Sequence, residues 1–548
     1  MLSTFAPVRM FLLLAMACAP VAGFGQALEP WTAVRPAAIE AHVRFLADDL
    51  LEGRAAGSRG YDTAAAYVAA QFRQYGLKGA GDEGTYFQTV PLLEATAVLP
   101  GSSAVLDRDD PVRFEYGTDY LPGADFLSTS STITAPLVFA GFGIHAPELD
   151  YSDFTDIDVE GRIVVIFGGA PARFAHNERA YYSWSDAKYA ELVKRGAVGV
   201  VTLDTREDAE RFPWARRVAS SWMPQMHWLD AEGRPTDVFP ELKLRFRFSM
   251  AAASRFFEGS AASLDQVLDA AAAGTPQGFD LPGTFTMSAT TGLRRTQSTN
   301  VLGLIEGTDP RLRNEVLVIS GHLDHLGRGA PVNGDSIYNG AHDNASGIGI
   351  LLETARALAS SGIRPRRSIL FAAVTAEERG LLGSDYFAHH PPGDSLRIVA
   401  NLNLDMPMIL GPTLDFVAFG AEHSTLGPVA RRATRAEGYR LSPDNMPQEV
   451  IFIRSDQFSF VRLGIPSLYI NGGYVSRNRS IDVAALQKEY LEKHYHEPSD
   501  DLSLPLDYPT AAALARIHTR IALDVANAAA PPAWNRGDFF AEKFPQER

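Results

Sequence analysis

Apolar residues in the C-terminal half of this chain alternate between two patterns. Short runs that are apolar on both faces, predicted as strands, lie at 316–319, 369–374, 399–404 and 467–470. Between the first two runs, a helical period places four apolar residues on one face, namely Ile348, Leu351, Leu352 and Ala355. Strands that are buried on both faces belong to a mostly parallel sheet with helices packed against it. The pattern therefore predicts an α/β fold with a mixed, mostly parallel sheet flanked by helices.

The N-terminal half follows different patterns. Residues 36–93 have a helical pattern, with an alanine-rich helix predicted over 61–72. From about 124 to 283 the chain changes to short strands, predicted at 136–139, 161–167 and 198–203, with a helix over 185–195. Histidines and carboxylates do not gather at ligand spacing in this segment. We therefore predict a small, β-rich accessory domain at 124–283, inserted between the two parts of the main domain at 28–123 and 284–548.

The first 27 residues are typical of an export signal. Arg9 precedes the apolar run 10–17, which is too short to span a bilayer, and small residues continue through Ala27. Cleavage near 23–27 would give a secreted or periplasmic protein without a transmembrane helix. Cys18, the only cysteine, is an alternative lipoprotein anchor, but residues 15–17 match that motif poorly. The mature chain therefore has no thiolate, and any metal ion must be bound by nitrogen and oxygen.

Composition narrows the classes of partner. The chain has 548 residues, of which 46% are hydrophobic and 21% charged, as in a globular protein with a large core. Its net charge of −15 and pI near 5.4 argue against nucleic acid as a partner, because phosphate binding requires basic patches. Composition gives no prediction of oligomeric state.

Residues that can bind metal ions follow the predicted strands. Functional groups in open α/β sheets collect at the carboxyl ends of the strands. The five potential ligands are His322, Asp343, Glu378, Asp405 and His496. Each has an ordinary alternative explanation: a hydrogen-bonded pair, a helix cap for Asp343, or a solvated glutamate. Coincidence would have to place all five together, so we favour a metal site.

The charges favour two ions. Two divalent cations bring four positive charges, which Asp343, Asp405, Glu378 and a bridging hydroxide would offset. Nitrogen and oxygen ligands suit Zn²⁺, with Co²⁺ or Mn²⁺ as substitutes, and Asp343 would lie between ions about 3.5–4 Å apart.

Two further carboxylates are predicted to support the chemistry. Adjacent glutamates in an extended segment point apart, so one can bind metal while the other exchanges protons with the attacking water and the leaving amine. Asp324 lies on the same side of the chain as His322 and is predicted to hold the other nitrogen of that imidazole.

These motifs resemble a known family. GHLDHLG, YNGAHDNASG, TAEERGLLGS, NLNLDM and YHEPSDD are similar to motifs of the dinuclear zinc aminopeptidases related to bacterial leucyl aminopeptidase. Glutamate carboxypeptidase and the transferrin receptor ectodomain are more distant relatives. The resemblance extends from about Ser298 to the C-terminus and includes the N-terminal segments 51–54 and 86–88. The segment DYSDFTDIDVEGRIVVIF looks like the protease-associated domain often inserted in such chains.

The resemblance implies a role for each residue of the site. His322 and Asp405 would hold one zinc ion, Glu378 and His496 the other, and Asp343 would bridge them. Glu377 would be the general acid/base, Asp324 the partner of His322, and the 343–344 peptide bond would be cis. The implied activity is release of N-terminal amino acids from peptides by attack of a metal-bound hydroxide.

The chain departs from the family pattern in three places. His342 replaces a common aspartate, and Gln457 replaces the histidine of a Ser-Asp-His motif. Phe452 stands where some relatives have a tyrosine that polarises the carbonyl group of the substrate. Tyr474 and Tyr495 are the alternative candidates for that role.

Other functions remain open. The same fold supports carboxypeptidases and single-zinc glutaminyl cyclases, although the complete ligand set with paired glutamates favours peptide hydrolysis. A non-catalytic, receptor-like ectodomain would be expected to lose ligands, and this chain keeps them all. A phosphoesterase is disfavoured because Arg379 is the only cation near the motifs that could clamp phosphate.

Overall fold

The structure, a computed structural model, describes residues 1, 29–393 and 395–546, with only the backbone at 99–100. The predicted export signal and Cys18 lie outside the described residues. The strands are β1 (Lys78–Gly79), β2 (Phe87–Asp107), β3 (Val112–Phe114), β4 (Tyr120–Pro122), β5 (Ser130–Phe139), β6 (His145–Ala146), β7 (Tyr151–Ser152), β8 (Ile163–Phe167), β9 (Gly199–Leu203), β10 (Gln225–Trp228), β11 (Leu244–Phe248), β12 (Phe279–Ile305), β13 (Glu315–His322), β14 (Gly327–Val332), β15 (Asp335–Tyr338), β16 (Ser368–Val374), β17 (Arg397–Asn403), β18 (Asp415–Phe419), β19 (Arg440–Ser442) and β20 (Ser467–Gly472).

The helices connect these strands and cover the faces of the sheet. They are α1 (Pro36–Leu46), α2 (Arg59–Gln74), α3 (His176–Ser183), α4 (Ser185–Lys194), α5 (Arg206–Arg211), α6 (Trp214–Ser220), α7 (Met250–Phe257), α8 (Leu264–Ala272), α9 (Gly347–Ser360), α10 (Leu382–His389), α11 (Leu426–Ala436), α12 (Gln457–Val461), α13 (Val483–Lys493), α14 (Tyr508–Asn527) and α15 (Phe539–Lys543). Within the described ranges, none of these helices combines the length and the apolar character needed to cross a membrane.

The C-terminal half contains the predicted mixed sheet. Its strand order is β19-β18-β20-β17-β13-β16-β12. Strands β20, β17, β13 and β16 are parallel to one another, whereas β12 is antiparallel to β16 and β18 is antiparallel to β20. The runs predicted at 316–319, 369–374, 399–404 and 467–470 coincide with β13, β16, β17 and β20. The predicted fold class is confirmed.

The alternation of side chains along β13 shows how both faces of the sheet are covered. Leu317 and Ile319 belong to a core that packs against helices α1, α2, α9, α11 and α14. Val316 and Val318 point to the opposite face, where Phe387 of α10 and Phe460 of α12 cover them. Because alternate residues of a strand point to opposite faces, a continuous apolar run is buried on both sides.

A second core forms around the segment at 124–283. There the sheet continues in the order β12-β5-β8-β9-β11-β4, with β5, β8, β9 and β11 parallel, and helices α3–α8 lie in the same segment. Ala104 and Ala289 belong to this second core although they lie outside the predicted limits of the insertion. Its identity as a protease-associated domain stays a prediction.

The helical pattern predicted over 36–93 is wrong beyond the end of α2. Residues 78–79 form β1, and β2 begins at Phe87. Gln88, Val90 and Leu92 are buried, whereas Thr89 is exposed and Pro91 is partly exposed. This alternation is the two-residue period of a strand. Pairing with the long strand β12 thus outweighs the apolar content that suggested a helix.

Candidate metal centre

The candidate ligands meet at one edge of the sheet. His322 is the last residue of β13, which lies between the parallel strands β16 and β17. Glu378 follows β16, and Asp405 follows β17. Asp343 lies in the turn before α9, and His496 lies in the loop after α13. Because the carboxyl ends of neighbouring parallel strands are adjacent, residues that are far apart in sequence come together here.

Asp343 lies between two imidazoles. Its Oδ1 is 3.2 Å from Nε2 of His322, and its Oδ2 is 3.3 Å from Nε2 of His496. Nε2 of His322 is also 3.0 Å from Oδ1 of Asp405, and Nε2 of His496 is 3.1 Å from Oε2 of Glu378. The structure therefore brings all five predicted ligands together, with each imidazole between Asp343 and one further carboxylate.

Glu377, the predicted acid/base, also lies close to these groups. Ligand atoms of His322, Asp343 and Glu378 lie within 4.8 Å of one another, and those of His322, Glu377 and Asp405 do the same. Glu377 faces a cavity that Asp343 and Asp405 also line. The adjacent glutamates thus diverge, since Glu378 contacts His496 while Glu377 faces the open side.

Charge in this cluster shifts the pKa of several groups. Burial disfavours the charged form of His322, but the Asp405 and Glu377 carboxylates outweigh it and raise its pKa well above the usual range. His322 and His496 outweigh burial and hold the pKa of Asp343 well below its usual range. Burial, with Asp405 and Glu378 nearby, raises the pKa of Glu377 well above its ordinary value.

Asp324 supports the site in a different way from the predicted one. Nδ1 of His322 is 3.1 Å from the backbone carbonyl oxygen of Asp324, whereas the nearest Asp324 carboxylate oxygen is 4.0 Å away. That carboxylate instead accepts hydrogen bonds from the backbone N–H groups of Glu377 and Glu378, at 3.2 and 3.4 Å. Asp324 therefore fixes the backbone of both glutamates, and its carbonyl oxygen orients His322.

Asp500 is a functional residue that sequence reasoning missed. Its carboxylate accepts hydrogen bonds from the backbone N–H groups of His342 and Asp343, at 2.8 and 2.9 Å, and from the Tyr490 hydroxyl at 2.9 Å. The only sequence signal was its place in the quoted motif YHEPSDD. Asp500 thereby holds the turn that presents Asp343, where the Asp343–Asn344 peptide bond is cis.

His342, the residue that departs from the family pattern, is fully buried beside the site. Its ring centroid lies 4.6 Å from that of Tyr490. Among the described residues, neither of its ring nitrogens has a hydrogen-bond partner. Burial lowers the pKa of His342 to about 4, so the imidazole is neutral and adds no charge to the cluster.

The cavity next to Glu377 has a volume of about 460 Å³. Its apolar lining residues are Phe212, Pro213, Met406, Met408, Met446, Ile451 and Leu491. Of the segment 474–490, only Lys488 lines the cavity. Tyr495 and Tyr469 line the cavity, whereas Tyr474 packs in a neighbouring hydrophobic cluster. The inserted segment forms part of the wall through residues 210–213 and 216.

Comparison with known proteins agrees with this geometry. Residues 300–522 match the sequence profile of Peptidase family M28. Leupeptin-inactivating enzyme 1 of Streptomyces exfoliatus is 29% identical over 237 residues, which cover 40% of this chain and 45% of that protein. A "Probable zinc metalloprotease" of Pyrenophora teres f. teres is 39% identical over 108 residues, or 20% of this chain and 21% of the relative. The chain thus spans less than half the length of these relatives.

One solved structure shares the fold over most of the chain. The aminopeptidase from Aneurinibacillus sp. strain AM-1 aligns with a TM-score of 0.53 and 19% identity, covering 91% of this chain and 96% of that one. This likeness concerns the fold. The profile match contains all five candidate ligands together with Glu377 and Asp324. The region of the chain that carries the candidate metal centre is therefore similar to peptidase family M28.

Proposed function

We propose that this protein is an exported dinuclear zinc metallopeptidase that releases N-terminal amino acids from peptides. The observation that carries the proposal is the position of Asp343, whose two carboxylate oxygens face two different imidazoles at 3.2 and 3.3 Å. A carboxylate with one oxygen toward each of two nitrogen donors suits a bridge between two cations. Relatives named as a zinc metalloprotease and a leupeptin-inactivating enzyme support the same class of reaction.

The donors fit zinc. Asp343, Glu377, Glu378 and Asp405 gather at the site, and a cluster of buried carboxylates is costly unless positive charge compensates it. Nε2 of His322 and Nε2 of His496 both point at carboxylates, so each can serve as a nitrogen donor once its proton is replaced by a metal ion. Imidazole nitrogen with carboxylate oxygen is the donor set that zinc accepts. His322 and Asp405 would hold one ion, Glu378 and His496 the other, and Asp343 both.

When bound, the ions would act as Lewis acids and lower the pKa of water in the site. The protein itself must then move protons and hold the substrate. Glu377 faces the cavity with a raised pKa, which suits a group that accepts a proton from water and donates it to the leaving amine. Asp324 holds the backbone of Glu377 in place through its N–H group, at 3.2 Å.

The cavity walls suit a short apolar side chain and a polarised carbonyl group. Met406, Met408 and Leu491 would bury the N-terminal side chain of a peptide. The Tyr469 hydroxyl donates to the Asp405 carbonyl oxygen at 2.7 Å and is therefore engaged. This leaves Tyr495, which also lines the cavity, as the proposed donor to the carbonyl oxygen of the substrate.

Metal content combined with a substrate panel tests the proposal. We expect two zinc ions per chain and release of amino acids from aminoacyl-nitroanilides, lost on treatment with a chelator. Preference for hippuryl substrates would indicate a carboxypeptidase instead, and one zinc ion with cyclisation of N-terminal glutamine would indicate a glutaminyl cyclase. Well under one zinc ion per chain would indicate a non-catalytic binding protein.

Export needs a separate experiment. We expect the mature protein, recovered from the periplasm or the medium, to begin near residues 23–27. A mature chain that keeps residues 1–22 would contradict export by signal cleavage, and an acylated Cys18 would indicate a lipoprotein.

A further inference from the structure

The second histidine of GHLDHLG, His325, has no role in the site described so far. Its Nδ1 lies 2.7 Å from Oε1 of Glu378, closer than any other nitrogen–oxygen distance among the candidate ligands. The other Glu378 oxygen, Oε2, faces His496 at 3.1 Å. The two carboxylate oxygens of Glu378 are therefore divided between two imidazoles, of which only His496 is a proposed ligand.

The contact fixes which nitrogen of His325 carries the proton. Glu378 is an acceptor when ionised, so Nδ1–H of His325 donates to its Oε1. In the neutral imidazole Nε2 then has a lone pair, and it has no hydrogen-bond partner in the described part of the chain. The ring is fully buried. Among the described residues, Glu378 is therefore the only hydrogen-bond partner of this side chain, and Oδ2 of Asp343 lies farther from Nδ1, at 3.9 Å.

The surrounding backbone is shaped to hold this ring. Gly340 adopts a left-handed conformation with φ of 59°, and a Cβ atom there would lie 2.5 Å from Cγ of His325. The backbone N–H of His325 donates to the carbonyl oxygen of Arg54 at 3.2 Å. The guanidinium of Arg54 in turn donates to the carbonyl oxygen of Gly340 at 3.1 Å and to that of Leu323 at 3.0 Å. Arg54 thus joins the loop that carries His325 to the turn that contains Gly340.

We propose that His325 is a positioning residue of the metal centre. By holding Oε1 of Glu378, it turns Oε2 toward His496 and the second ion, and it limits rotation of the carboxylate. This inference rests on the proposed function, because it assigns Glu378 to a zinc ion. Partners that hold a ligating group in this way change metal affinity or activity about 10–100-fold when they are removed.

The test compares three full-length variants by competition between the protein and a chelator for Zn²⁺. His325→Leu removes the donor. We expect the zinc affinity of the weaker of the two sites to fall about 10–100-fold. His325→Asn keeps an N–H donor near the position of Nδ1, and we expect it to restore most of that loss. The visible absorption spectrum of the Co²⁺-substituted protein reports ligand geometry. It should differ from the parent spectrum in His325→Leu and resemble the parent spectrum in His325→Asn.

His518→Leu is the matched control. His518 is equally buried, its Nδ1 is engaged with the Leu514 carbonyl oxygen at 3.0 Å, and its Nε2 has no partner among the described residues. It lies in α14, outside the site, so its variant should lose stability without losing zinc affinity.

The outcomes separate this inference from the proposed function. If the parent protein binds no zinc, the proposed function itself fails. If the parent binds two ions and His325→Leu keeps the parent affinity, only the role of His325 fails. A loss that Asn does not restore would also overturn the proposal, since the hydrogen bond would then not be what matters.

Discussion

Replacing Glu377 with glutamine separates proton transfer from metal binding. The substitution keeps the size of the side chain and removes its ability to exchange a proton. Among the described residues, the Glu377 carboxylate accepts no hydrogen bond, while its backbone N–H is held by Asp324 at 3.2 Å. The change should therefore leave the backbone in place and should not destabilise the fold, because it removes a negative charge from a cluster of carboxylates.

The expected loss of activity follows from the role of the carboxylate. General acid–base catalysis contributes about 10²–10⁴-fold to a rate. At 1.36 kcal/mol per tenfold change, this corresponds to about 2.7–5.4 kcal/mol of the activation free energy. The loss should appear in kcat, with little change in KM, because Glu377 acts on the proton and does not hold the substrate.

The assay measures two quantities on the same preparation, namely hydrolysis of an aminoacyl-nitroanilide and zinc content. Glu377→Gln should keep two zinc ions per chain and lose activity. Glu378→Gln should lose zinc, because the neutral amide removes the negative charge and one of the two oxygens of a carboxylate that lies 3.1 Å from His496. A Glu377→Gln protein with more than a tenth of the parent activity, or one that has lost zinc, would refute the assignment of the two glutamates.

Further predictions address the bridge, its support, the ions and a distant histidine. Asp343→Asn should bring zinc below one ion per chain by metal analysis, because both proposed sites share this carboxylate. Asp500→Asn should weaken zinc affinity about 10–100-fold in chelator competition, since an amide cannot accept both backbone N–H groups. Chelation should lower the thermal midpoint, because an ion at about 1,000 times its Kd adds about 4 kcal/mol of stability. His42 is buried, which lowers its pKa to about 4 from 6.5, so its contribution to stability is complete above pH 6.5 and is lost as the pH falls toward 4. The parent should therefore lose about 2 kcal/mol more than His42→Gln between pH 7.5 and pH 5 in denaturant unfolding; equal losses would contradict this.

The sequence was most informative where residues of one kind recur in a regular pattern. Apolar runs such as the one in β13 predicted buried strands, and ligand-type residues after each strand predicted the site. This works because parallel strands bring their carboxyl ends together whatever the length of the connections. The gathering of His322, Glu378 and Asp405 could therefore be predicted without knowing how the chain between them folds.

Features that depend on backbone geometry could not be predicted in this way. Asp324 was expected to contact His322 through its carboxylate, but the loop turns so that its carbonyl oxygen makes that contact. The hydrogen bonds of Asp500 and His325 join residues whose proximity is fixed only by the packed structure. The lining of the cavity also escaped prediction, because residues 210–216 reach it from a distant part of the chain.

Strand β12 has a consequence for how substrates reach the site. This 27-residue strand pairs with β2 from Thr284 to Val301, with a bulge between Ser288 and Thr290, and with β16 from Val301 to Ile305. One strand thus runs through both cores. A hinge between the two cores would have to break the hydrogen bonds of this strand, so large opening and closing motions would cost free energy. We therefore expect the cavity beside Glu377 to keep its shape, which in the proposed peptidase would favour a flexible chain end over a folded protein surface.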